Sequence, residues 1–221
     1  MEPMLILASS SPRRRELLTQ AGIPFRVVSL PVEEGRHPGE NPIPYTQRLA
    51  RLKAEVVFHA EKSAPVQRLP AKAAPQPTSN SIEPLLVLGA DTIVVCDEHI
   101  LGKPSDPHDA HRMLRLLSGR THQVITSVCL ISSVGVDIAS ETTSVTMQTL
   151  TDQEIQNYIS TGEPVDKAGA YAVQGRAGRW IPRISGCYFN VVGLPLSLVA
   201  NLIEGMKAKL AAGPVLVSPP R

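Results

Sequence analysis

The run LLVLGADTIVV, residues 85 to 95, is apolar and β-branched almost throughout and is interrupted only by Gly89, Asp91 and Thr92. Branched side chains suit a pleated surface, so the run reads as a buried strand with a polar break in its middle. Other segments fit around it. MLILA, residues 4 to 8, and FRVVS, residues 25 to 29, are two further strands. Between them Ser11 stands as an N-cap with Pro12 at the first helical position, and Leu17, Leu18 and Ala21 share a face before Gly22 stops the helix. From Ile43 to about Ala60, the residues Tyr45, Leu49, Leu52 and Val56 lie along one helical stripe.

Downstream, Asp106 and Pro107 open a helix in which Ala110, Met113, Leu114 and Leu117 follow the i, i+3, i+4, i+7 spacing up to Gly119. Residues 123 to 134 and 137 to 147 alternate around Gly135 and predict a hairpin. Thr151 and Glu154 form a capping box for a helix carrying Ile155, Tyr158 and Ile159, and the last helix spans about Leu194 to Leu210. Strands and helices alternate first and turn hairpin-like later, which predicts an α/β or α+β chain with a mixed sheet and flanking helices. Residues 62 to 84 shift to Pro, Ala, Ser and Gln and read as a flexible insertion in a single domain over 1 to 212, followed by a disordered tail from 213 to 221.

A hydrophobic content of 43% with 19% charged residues over 221 positions fits an ordinary soluble globular protein. The formal net charge of +2 is too small to attract nucleic acid by itself, so anion recognition must be local and no stable nucleic-acid complex is expected. Cys96, Cys129 and Cys187 are far apart and read as small core residues in a reducing cytoplasm. No stretch approaches the roughly 18 apolar residues that a membrane helix requires.

Several places carry the chemistry. In ASSSPRRRELL three arginines crowd the start of a helix, where the dipole disfavours cations. With Ser9, Ser10 and Ser11 they form either a phosphate cradle or a solvated basic face. Asp91, inside the most apolar strand, is a general base, a ligand for a hard cation or a turn aspartate. Lys103, in LGKP, is a point charge suited to phosphate, without P-loop spacing. GEPVDKAGAYAVQG, residues 162 to 175, concentrates glycines, charges and an amide. There Asp166 either pairs with Lys167 or binds metal while Lys167 meets phosphate, and Gln174 can read a base edge. His108 and His111 read as surface residues, while Arg120 and His122 stay open between a site role and a strand entry.

The blocks ASSSPRRRELL, GADT, LGKP, LSGRTHQVITSV, GEPVDKAGAYAVQG and GCYFNVVGLPLSLV, in that order, resemble the Maf family of nucleotide pyrophosphatases. The resemblance implies two lobes around a cleft in an inosine-triphosphatase-like fold, often dimeric. It also implies hydrolysis of a nucleoside triphosphate to the monophosphate and pyrophosphate with a divalent cation, Mg²⁺ or Mn²⁺. In the family's pattern Asp91 is the proton acceptor, and Arg13, Thr92 and Gln174 bear on substrate choice. Ser9, Arg14, Lys53, Lys103 and Lys167 join them as substrate contacts. Glu33, like Lys53, falls where the family places supporting polar residues, and with Asp91 and Asp166 it makes up the candidate metal ligands. DKAGAY…QG with NVVGLP looks like the branch acting on dTTP and UTP, the alternatives being a modified purine triphosphate such as 7-methyl-GTP or a non-enzymatic nucleotide- or DNA-binding regulator. Ala172, Val173 and Cys187 depart from the common glycine, isoleucine and serine.

Overall fold

The computed structural model describes residues 3–63 and 84–212. The long apolar run is one uninterrupted strand, β3 (Leu86–Cys96), and Asp91 lies within it rather than at a break. Around it are β1 (Leu5–Leu7), β2 (Phe25–Val27), β4 (His99–Leu101), β5 (Thr121–Ser132), β6 (Gly135–Thr146) and β7 (Arg183–Ser185). They make a seven-stranded sheet in the order β2-β1-β3-β5-β6-β7, with β4 also on β3. β1 is parallel to β2 and to β3, and every other pairing is antiparallel. The sheet is therefore mixed, as expected.

The helices are α1 (Pro12–Gln20), α2 (Pro42–Ser63), α3 (Pro107–Leu117), α4 (Asp152–Ile159), α5 (Tyr188–Val192) and α6 (Leu196–Ala212). Because side chains alternate across a strand, β3 serves two faces. Val87 joins Ala50, Ala54 and Val57 of α2, while Leu88 and Ala90 join Leu17, Leu18 of α1 and Val199, Met206 of α6. A third apolar cluster holds the far end, where Val94 and Cys96 meet α3, α4, Tyr171 and Trp180. The capping box on α4 has both bonds in place.

The structure corrects some boundaries. α2 runs on through Lys62 and Ser63, past its expected end near Ala60; residues 64–83 and 213–221, where the insertion and the tail were expected, lie outside the described residues. Cys96 and Cys129 are buried, but Cys187 is only half-buried because it stands at the N-cap of α5, outside the core. Among the described residues, no helix is long and apolar enough to cross a membrane.

The pairing of β3 positions the site. Its one edge is covered by β1 up to Leu88 and by β4 from Val94 onward. Among the described residues no strand lies beside the intervening stretch, Gly89 to Ile93, on that edge, and a cleft lined by Asp91, Thr92 and Ile93 opens there. β1 also ends at this gap, which is where ligands bind outside the carboxyl ends of parallel strands.

Gly89 lets α2 approach β3: a Cβ there would lie 2.1 Å from the Ala50 carbonyl oxygen and 2.9 Å from the Ala54 nitrogen. Both neighbours are backbone and yield only if α2 moves. Gly89→Ala is expected to destabilise the protein by about 1–3 kcal/mol, the usual range for overpacking, as measured by denaturant unfolding. An unchanged unfolding midpoint would show that this contact does not set the helix position.

Candidate active site

The cleft has a volume of about 740 Å³, within the roughly 300–1,000 Å³ of small-molecule sites. The residues Ser9 to Arg14, Glu34, Lys53, Asp91, Thr92, Lys103, Asp166, Lys167 and Gln174 line it. Five cationic side chains face three carboxylates, leaving two positive charges in excess.

Asp91 sits on the α2 face of β3 and is 8% exposed. Lys53, one turn beyond Leu49 on α2, donates to Asp91 Oδ1 at 2.7 Å and pairs with Glu34 Oε1 at 2.6 Å. Asp91 Oδ2 has no hydrogen-bond partner among the described residues. Burial pushes the Asp91 carboxyl above its ordinary range, although Lys53 and Arg14 pull the other way. Glu34 shows the opposite balance: burial raises it, but Lys53, Lys103 and Arg14 together hold it below the usual carboxylate range.

The three arginines of α1 part company. Arg14 is buried and spends four donors inside the protein: Nε on the Gly193 carbonyl, Nη1 on Ser9 Oγ and the Ala90 carbonyl, and Nη2 on Thr92 Oγ1. A guanidinium has five N–H groups, so one remains for a ligand. Arg13 reaches across the cleft mouth to Asp166, with Nη1 on Oδ2 at 3.1 Å and Nη2 on the backbone carbonyl at 3.2 Å. Arg15 is exposed and lies outside the cleft. Ser11 is the N-cap residue by position, yet its side chain makes no capping bond, and no acidic residue occupies the first turn of α1. That helix start faces the cleft uncapped, as an anion site requires.

The remaining predicted residues differ in what they meet. Lys103 lines the cleft with no ion-pair partner among the described residues. Thr92 faces the cleft while its hydroxyl takes Arg14 and meets Thr126 Oγ1 at 2.9 Å. Gln174 is exposed in the cleft wall and its amide has no protein partner among the described residues. Lys167 donates to the Glu163 carbonyl and to Asp166 Oδ1. Asp166 is thereby held by two cations, which outweigh its burial and keep its carboxyl below the ordinary range. Glu33, expected as a metal ligand, lies outside the cleft lining; its neighbour Glu34 is the carboxylate that faces Lys53. The loop has no periodicity with which to choose between two adjacent glutamates.

Residues with no chemical signal of their own in the sequence also shape the site, and the structure settles the two left open. Tyr45, placed on a helical stripe, donates its hydroxyl to the Glu34 carbonyl at 2.8 Å and fixes the loop that carries Glu34. Tyr171 forms part of the cleft wall, and its hydroxyl meets His122 Nε2 at 2.8 Å. His122 is buried, which lowers its pKa to about 4 and keeps it neutral beneath that wall. Arg120 pairs instead with Asp97, on the far side of the strand entry.

Among the described residues no group of three or more His, Cys, Asp or Glu side chains forms a ready-made metal cage. The donor set does suit Mg²⁺ or Mn²⁺ delivered with a phosphate ligand, since such ions take one or two carboxylates plus phosphate oxygens. Glu34 is the carboxylate placed for it, Asp91 Oδ2 is open either to the ion or to a water, and Asp166 is already engaged with Arg13 and Lys167.

Residues 4–206 match the Maf-like protein family. The chain is 49% identical over 200 residues to a dTTP/UTP pyrophosphatase of Koribacter versatilis, covering 90% of this chain and 93% of the relative. It is 45% identical to the protein of the same name from Bdellovibrio bacteriovorus, covering 92% of this chain and 99% of that one. The corresponding Photobacterium profundum protein is 48% identical, with 87% and 91% covered. Among solved structures, the Ham1 protein of Staphylococcus aureus aligns with a TM-score of 0.46 at 12% identity, over 92% of this chain and 99% of its own. With a match that spans most of its length and relatives this similar, the chain belongs to the Maf family.

Proposed function

We propose that the protein hydrolyses dTTP and UTP to the monophosphate and pyrophosphate, in the cytoplasm. The observation that carries this is Asp91: a buried carboxylate with a raised pKa and one open oxygen, at the edge of a cleft with surplus positive charge. The names of the relatives supply the substrate class, and free thiols at all three cysteines accord with a reducing compartment.

The residues divide the work. The uncapped start of α1, Arg13, Lys103 and Lys167 bind the triphosphate, and the last free N–H of Arg14 joins them. Lys53 fixes Asp91 by Oδ1, so Oδ2 is the atom that takes the proton of the attacking water. As that proton moves, the water oxygen bonds to the α-phosphorus and the α–β anhydride bond breaks, with its electron pair leaving on pyrophosphate. A divalent cation, held by Glu34 and phosphate oxygens, would supply neutralisation of the charge that develops on the leaving group. Thr92 and Gln174 recognise the pyrimidine, with the amide of Gln174 offering a donor and an acceptor to the base edge.

Three outcomes test this reading. Asp91→Asn keeps size and removes the base, so kcat for pyrophosphate release from dTTP and UTP should fall by at least about 100-fold in folded protein; near-wild-type turnover would remove Asp91 from that role. Lys53→Met tests the pKa logic. Lys53 lowers the Asp91 pKa and a base works only when ionised, so removing Lys53 should move the acid limb of the kcat–pH profile to higher pH. A limb that stays in place, or moves down, would separate Asp91 from the observed ionisation. Gln174→Ala should alter the ranking of pyrimidine and purine triphosphates in kcat/KM more than it lowers the rate with the best of them, and a uniform loss would contradict base reading.

A further inference from the structure

Gln174 stands at the third position of a tight turn closed by Gly175 N–H on the Ala172 carbonyl at 3.1 Å. Isolated, such a turn places its side chain loosely. Here both ends are tied to one carboxylate that lies outside the cleft lining. Arg176 N–H donates directly to Glu163, at 3.1 Å to Oε1 and 3.3 Å to Oε2. Ala172 N–H donates to the Tyr158 hydroxyl at 3.1 Å, and that hydroxyl donates onward to Glu163 Oε1 at 2.8 Å. The phenol is no swinging arm: Tyr158 is 2% exposed and packs edge-on against Trp180 with ring centroids 5.2 Å apart.

Gly175 records how close the carboxylate comes. A Cβ built there would lie 2.0 Å from Glu163 Oε1 and 2.5 Å from its Cδ. The backbone at Gly175 has φ −104°, outside the left-handed region, so glycine is needed for space. Glu163 is also fixed at its own backbone: its N–H meets Thr161 Oγ1, and its carbonyl accepts Lys167 Nζ at 2.7 Å. One residue thus holds the amide-bearing turn by its side chain and a cleft lysine by its main chain.

We propose that Glu163 is a positioning residue for substrate choice, clamping the 172–176 turn directly and through Tyr158 so that the Gln174 amide meets the base in one register. This rests on the reading that Gln174 recognises the pyrimidine. The clamp acts on discrimination between bases rather than on the chemical step, because it touches neither Asp91 nor the water it activates.

The test measures kcat and KM for dTTP, UTP and CTP with the full chain and with Glu163→Ala, Glu163→Gln, Tyr158→Phe, Gln174→Ala and the Glu163→Ala/Gln174→Ala pair. Glu163→Ala should cut the preference for dTTP over CTP in kcat/KM about tenfold, chiefly through KM, with the double variant losing no more than Gln174→Ala alone. Glu163→Gln keeps an acceptor oxygen and should retain most of the preference. Tyr158→Phe keeps the ring on Trp180 but orphans the Ala172 N–H, so it should shift the preference in the same direction even if Glu163→Ala does not fold. The clamp is overturned if these variants leave the preference at its wild-type value, or lower kcat alike for every nucleotide, while Gln174→Ala shifts it. If Gln174→Ala itself leaves the preference unchanged, base reading fails and the clamp falls with it.

Discussion

Everything at the site follows from keeping Asp91 charged inside a strand that is otherwise apolar. A carboxylate taken out of water loses hydration worth several kcal/mol, and only nearby cations and donors offset that loss. The fold supplies them from both sides of β3. Lys53 arrives on the α2 face and Arg14 on the α1 face, and Arg14 is tied through Thr92, the residue next to Asp91. Compensation is incomplete, since burial still lifts the Asp91 pKa above its ordinary range. That residual penalty makes the carboxylate a better proton acceptor than a solvated one.

The same cations need their own partners before substrate arrives. Arg14 is satisfied by backbone carbonyls and hydroxyls, a neutral set that fixes it without cancelling its charge. Arg13 and Lys167 instead share Asp166 at the exposed mouth of the cleft. Exposed pairs of that kind are worth about 0–1 kcal/mol, so a triphosphate has little to displace there. Asp166, open in sequence between a pair with Lys167 and a metal, is here the counterion of two cleft cations.

What was legible in the sequence was set by periodicity and capping. The strand 85 to 95, the hairpin, the Thr151–Glu154 box and the α3 stripe each carry a local signal that tertiary contacts do not need to overrule. β1, β2, β4 and β7 are all three residues long, but the first two sit in the apolar runs MLILA and FRVV, whereas HIL and RIS stand in no such run and α5, at five residues, is too short for a helical period to stand out. The site divides in the same way. Asp91 announced itself because a charge inside an apolar run is an anomaly, whereas Glu34 and Glu163 sit in polar loops where one more acid is unremarkable. Their roles arise from residues distant in sequence: Lys53 for Glu34, and the Arg176 amide for Glu163.

The RRR run shows the physical origin of that division. Successive helical residues point about 100° apart, so three identical side chains face three environments. Whether an environment is a buried socket, a cleft mouth or bulk water depends on β3, Gly193 and the 163–167 segment, which lie far along the chain. Arginine tolerates all three because its long apolar stem and five donors can be satisfied by carbonyls, carboxylates or solvent alike. A run that promiscuous in its partners specifies where positive charge starts, and only the folded chain decides which of the three guanidinium groups is structural, which meets the ligand and which is solvated.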